Sequence, residues 1–124
     1  MKISILLPYK ENFSPDYAGA VSLNINDTLK ISKYKNNTIV FGNTKYKNIF
    51  KLKYKNISLD KKIFQSQNKK YVEEFIKLEN KRNSDLIELH NRPVYLSYLN
   101  QNLQKKTYIL YFHNDPLTMI GSKT

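Results

Sequence analysis

The chain has no cysteine, so neither a disulfide framework nor a thiolate-held metal site can form. Tryptophan is absent as well, and only three glycines occur in 124 residues. They are too scattered for the GxGxxG turn of dinucleotide binding, so that fingerprint is excluded. Long apolar runs are missing too. The longest, ISILLP and YILYF, fall far short of the roughly 20 residues a membrane-spanning helix needs. MKISILLP carries one Lys and an apolar run with no small-residue cleavage pattern behind it. It is expected to be a first strand, not a signal peptide, which places the protein in the cytoplasm.

Arginine is nearly missing: two residues stand against 19 lysines, beside 15 Asn and 12 Ile. This skew matches AT-rich coding more than selection for nucleic acid, whose readers favour the planar Arg fork. A net charge of +11 still draws the protein towards anionic surfaces, so peripheral contact with the anionic inner face of a membrane is expected. What is present is an apolar fraction of 40% with ten Tyr and six Phe, enough for one globular domain with a real core.

Hydropathy along the chain alternates between two periods. Residues 2–8 form a continuous apolar run closed by Pro8, as in a strand buried on both faces. Ser14-Pro15-Asp16 is a helix-start signal, and Ala18, Val21, Ile25 and Leu29 recur at helical spacing to about Tyr34. Thr38 to Phe41, closed by Gly42, is a second strand. From 45 to 57, Phe50, Leu52 and Tyr54 alternate with Lys51, Lys53 and Lys55, predicting a half-exposed strand near a sheet edge. Asn68 to Lys81 is helical, with Tyr71, Val72, Phe75, Ile76 and Leu78 inward and Glu73 four residues before Lys77. Asp85 to Leu89 is a strand, Pro93 to Gln104 a helix with Leu96, Leu99 and Leu103 on one stripe, and Tyr108 to Phe112 the last strand. Strands alternating with helices predict an α/β fold, a Rossmann-like three-layer sandwich on a mostly parallel sheet. No helical pattern follows the last strand in PLTMIGSKT, so the domain is expected to be cut short there.

Two stretches repeat a phrase: LHNRP at 89–93 and FHNDP at 112–116 each place His-Asn-x-Pro where a strand ends. In an open parallel sheet, ligands bind outside the carboxyl ends of the strands. Asn91, Asn114 and Asp115 suit the capping of a sharp turn, and Pro93 and Pro116 preset the backbone beyond it. Turn geometry is one reading of those residues, and a place in a ligand site is the other. His90 and His113 are the better candidates for meeting a ligand. The loop after the first strand, with Lys10 and Glu11 before Gly19 and Ala20, leads to a helix N-terminus suited to phosphate. His113 and Asp115 are too few ligands for a metal, and no nucleophile-elbow sequence supports a Ser–His hydrolase.

Three stretches, PYKENFSPDYAGAVS, SDLIELHNRP and YILYFHNDP, together resemble the amino-terminal domain of family-four retaining glycosyltransferases of the B-type, two-lobed fold. The nearest patterns are transferases of bacterial lipopolysaccharide and other surface polysaccharide. The resemblance covers nearly the whole chain. It implies a nucleotide-sugar donor with no bound metal or other cofactor, and a glycan or lipid-linked acceptor. Gly19 and Ala20 would lie under the donor diphosphate, although the family has two adjacent Gly where this chain has Ala18-Gly19. His113 and Asp115 would face the reacting sugar, and Glu11, His90, Asn91, Arg92 and Asn114 would line the acceptor side of the cleft. The family's second lobe, which binds most of the nucleotide, has no counterpart in these 124 residues, so the chain alone is expected to be inactive. The rival is a non-enzymatic nucleic-acid-binding module that uses Lys45 to Lys70 with Tyr46 and Tyr54. On the transferase reading no nucleic acid is bound.

Overall fold

The computed structural model describes residues 1–60, 66–103 and 106–113. Five strands and three α-helices follow in the order β1 (Ile3–Leu6), α1 (Ala20–Leu29), β2 (Thr38–Gly42), β3 (Tyr54–Asn56), α2 (Gln67–Arg82), β4 (Leu86–His90), α3 (Pro93–Asn102) and β5 (Thr107–Tyr111). The strands form one sheet in the order β3-β2-β1-β4-β5, and every neighbouring pair is parallel. This is a Rossmann-like sheet, with its change of direction between β1 and β4. Ile3 of β1 lies opposite Thr38 on one side and Leu86 on the other, so the first strand is the central one.

Side-chain alternation divides the core in two. On one face Ile3, Ile5, Leu7 and Val40 pack with Phe13 against Val21, Ile25 and Leu29 of α1. On the other Leu6, Phe41, Ile87 and Leu89 meet Tyr71, Val72 and Phe75 of α2 and Tyr95, Leu99 and Leu103 beyond. Each fully buried aliphatic or aromatic side chain contributes roughly 1.5–3 kcal/mol. The α1 face thins out over β5: Ile109 and Tyr111 remain 37 and 45% exposed, and no helix among the described residues covers them.

Three expectations need correction. Ser14-Pro15-Asp16 does not start α1. The Ser14 hydroxyl accepts the Asp16 N–H within a local turn, and the helix begins at Ala20. The alternating stretch 45–57 keeps its facing, with Phe50, Leu52 and Tyr54 on the core and Lys51, Lys53 and Lys55 exposed. It pairs as a strand for only three residues, at the sheet edge. On α2 the ion pairs run through Glu74, to Lys70 at 3.3 Å and Lys77 at 3.2 Å, where Glu73 was expected.

Tyr54 stacks on Phe13 with ring centroids 5.6 Å apart, and its hydroxyl lies 2.7 Å from that of Thr44. Burial pushes its pKa up to about 12. A folded pKa above the unfolded value near 10 gives a contribution fully present below pH 10 and lost as pH rises through 12. Alkaline unfolding monitored by tyrosinate absorbance should therefore show stability falling across that window, with a shallower fall in Tyr54→Phe. An identical profile for the two proteins would refute the assignment.

Candidate functional site

The carboxyl ends of β1, β4 and β5 bring three segments to one rim. The loop after β1 turns sharply at Lys10, whose φ is 69°, and the Glu11 N–H then donates to the Pro8 carbonyl. That turn sends the Glu11 side chain towards the start of α1. Its Oε2 accepts the Ser22 N–H at 3.1 Å and the Ser22 hydroxyl at 2.7 Å. Gly19, the N-cap residue, offers no side chain, so this carboxylate caps α1 from eight positions before its cap. A Cβ at Gly19 would stand 2.5 Å from Glu11 Oε2, and φ there is −77°. Close approach, not backbone conformation, is what requires glycine. Gly19→Ala should displace the carboxylate and cost about 1 kcal/mol, the worth of a helix cap. Urea unfolding checks this, and an unchanged midpoint would show that Glu11 swings aside freely.

The repeated His-Asn has a structural explanation that links its two copies. Asn91 follows β4 in the left-handed region, with φ of 57°, a conformation that Asn tolerates. Its N–H donates to the Tyr111 carbonyl at 2.9 Å, and its side-chain Oδ1 accepts the His113 N–H at 2.6 Å. The first phrase thus holds the second in place, and two imidazoles meet. His90 Nδ1 lies 2.7 Å from His113 Nε2, and its Nε2 lies 2.7 Å from Glu88 Oε2. Tyr111 stacks on the His90 ring at 5.1 Å.

The site residues thus sort by exposure and partner. His90 is 3% exposed with both ring nitrogens engaged, and Asn91 is buried. Neither can contact a ligand directly through those atoms. His113 is half-buried. Burial, then the neighbouring His90, holds its pKa below the ordinary imidazole value, while Glu11 and Glu88 pull upward. That pull places Glu11 within electrostatic reach of His113 across the rim. Arg92 donates to the Asn91 carbonyl beside the start of α3. Gly19 and Ala20 sit at the start of α1, with the Glu11 carboxylate already beside them. Asn114 and Asp115 lie outside the described residues.

Glu88 was not foreseen as a site residue. Its signal was the two-residue spacing Glu88-x-His90 on a strand, which puts both side chains on one face. Among the described residues no group of three His, Asp or Glu is arranged to hold a metal, and no helix is long and apolar enough to cross a membrane. Tyr54 is turned onto Phe13, and Tyr46 stacks with Tyr17 at 6.0 Å, so both rings of the Lys-rich stretch already have aromatic partners.

Comparison with known proteins found no matching family model, no matching characterised protein and no matching solved structure.

Proposed function

We propose that this chain is the acceptor-side, amino-terminal lobe of a two-lobed glycosyltransferase that moves a sugar from a nucleotide-sugar donor to a glycan or lipid-linked acceptor. One observation carries it: the Glu11 loop, the α1 N-terminus and the His90–His113 pair converge at the carboxyl ends of β1, β4 and β5. Such a rim beside the change of strand direction is where open parallel sheets bind nucleotides and their conjugates. Glu11, Gly19, His90 and His113, drawn from the three stretches that resemble family-four transferases, lie along it.

Within this reading His113 presents a half-buried, largely neutral imidazole to the sugar. The start of α1 offers backbone N–H groups to a leaving diphosphate whose charge grows in the transition state. A second lobe would bind the nucleotide and exclude water on closure, so the 124-residue chain should bind donor weakly and transfer nothing alone. The Glu11 carboxylate opposes a diphosphate at this helix end. Removing its charge in Glu11→Gln should tighten binding about fivefold, roughly 1 kcal/mol. The Lys-rich edge then serves as a docking face for an anionic bilayer that presents the acceptor.

Backbone chemical-shift mapping with a uridine diphosphate hexose tests the proposal. The expected shifts fall on Glu11, Gly19, Ala20 and His113, and they grow in Glu11→Gln. No response at that rim, or a short RNA shifting Lys51, Lys53 and Lys55 at lower concentration, would reject it in favour of a nucleic-acid module.

A further inference from the structure

Glu88, His90 and His113 form a chain of two short contacts, each 2.7 Å, running from inside the α1 face of the sheet to the rim. An ionised carboxylate only accepts hydrogen bonds, so the Glu88 contact demands a proton on His90 Nε2. A neutral imidazole carries one N–H, which leaves His90 Nδ1 as an acceptor. The contact with His113 then requires the proton on His113 Nε2. Its remaining nitrogen, Nδ1, is left with a lone pair and has no partner among the described residues. One arrangement of protons satisfies the neutral chain.

We propose that Glu88 and His90 are positioning residues that fix His113 as its Nε2–H tautomer and present Nδ1 to the rim as a hydrogen-bond acceptor. The ligand group that fits Nδ1 is therefore a donor, a sugar hydroxyl. An unprotonated phosphate oxygen finds two lone pairs facing each other and is turned away. A proton taken at His113 Nδ1 on acidification removes that acceptor from the rim. The charged and titratable groups facing the His90–His113 pair are Glu88 on β4, Glu11 from the loop after β1, and Tyr111 of β5, which stacks on His90.

The hydroxyl assignment rests on the transferase reading, whereas the tautomer does not, so the ligand-free chain gives a test of its own. The protein has two histidines, and one substitution, His90→Gln, assigns both imidazoles in nitrogen–proton correlation spectra. Above the His113 titration, the wild-type spectrum should show a protonated Nε2 and an unprotonated Nδ1 on His113. Glu88→Leu removes the anchoring acceptor and should turn that single pattern into a mixture of both tautomers, with the His113 pKa lower still. Glu88→Gln, whose amide oxygen can accept the same proton, should restore the single tautomer without restoring the pKa. A wild-type His113 protonated at Nδ1 would overturn the proposal, whatever the variants do. So would a tautomer that persists unchanged in a folded Glu88→Leu protein.

Discussion

Glu79→Ala should cost about 3–5 kcal/mol, the penalty of removing one partner from a buried ion pair. Glu79 lies on α2 with no solvent exposure, facing the amino ends of the strands. Its Oε1 accepts the Ser4 hydroxyl at 2.8 Å, and its Oε2 accepts both the N–H and the hydroxyl of Ser84 at 2.7 Å. The Lys106 ammonium, itself nearly buried, stands 3.3 Å away and also donates to Asn83 Oδ1 and the Ser84 carbonyl. Arg82 extends the network by donating to the Ser4 hydroxyl, the Ile3 carbonyl and the Asn37 carbonyl. Alanine would strand a cation and three donors in a low-dielectric corner. Against a total of about 5–15 kcal/mol for a domain of this kind, the urea midpoint should fall by about a fifth or more. Glu79→Gln keeps the shape and some acceptors, so its loss should be smaller. Equal losses in the two variants would show that volume, not charge, holds this corner together.

Tyr71→Ala should cost a similar amount, about 3–5 kcal/mol for a large ring removed from a closed site. Tyr71 is fully buried between Tyr9, with ring centroids at 5.4 Å, and Tyr95 at 6.2 Å. Its hydroxyl donates to the Leu7 carbonyl at 2.7 Å, at the point where β1 gives way to the loop bearing Glu11. Burial keeps this phenol neutral by raising its pKa well above the ordinary value. Tyr71→Phe keeps the ring and removes only the hydroxyl, with its bonds to the Leu7 and Phe41 carbonyls, and should cost about 1 kcal/mol. The phenylalanine variant also separates stability from the site, because shifts at Glu11 and Ser22 should accompany it. A Tyr71→Phe protein unchanged in both respects would show that the loop holds its course without this tether.

The parts of the fold that were legible in the sequence are those set by local periodicity. The apolar runs at 2–8 and 108–112 contain or overlap the strands at 3–6 and 107–111, and the helical stripes of Val21, Ile25, Leu29 and of Tyr71, Val72, Phe75 fall where expected, because side-chain facing follows from residue spacing. The alternation of elements was enough for the parallel sheet. What stayed hidden depends on contacts distant in sequence. Ser14 carried a good local helix-start signal, yet α1 is capped by Glu11 through Ser22. Glu79 read as one more polar position on α2, since nothing local reveals that Ser4, Ser84 and Lys106 surround it. At the site, both histidines were placed at strand ends from sequence. Their mutual contact follows from β4 and β5 being neighbours in the sheet, which the order of elements alone does not specify.

That β1 is central has a consequence for how the protein is made. No two paired strands are joined by a hairpin, so every rung of the ladder waits for a crossover to be synthesised. As the chain leaves the ribosome, Ile3 to Leu6 can first join β2, and one border of β1 stays open until Leu86 to His90 emerge. The half-built sheet thus carries a bare apolar edge while the chain between β2 and β4 is made, a template for pairing with another nascent chain. Slow refolding and concentration-dependent loss of yield are the expected result, and a truncation ending before β4 should be recovered mainly as aggregate.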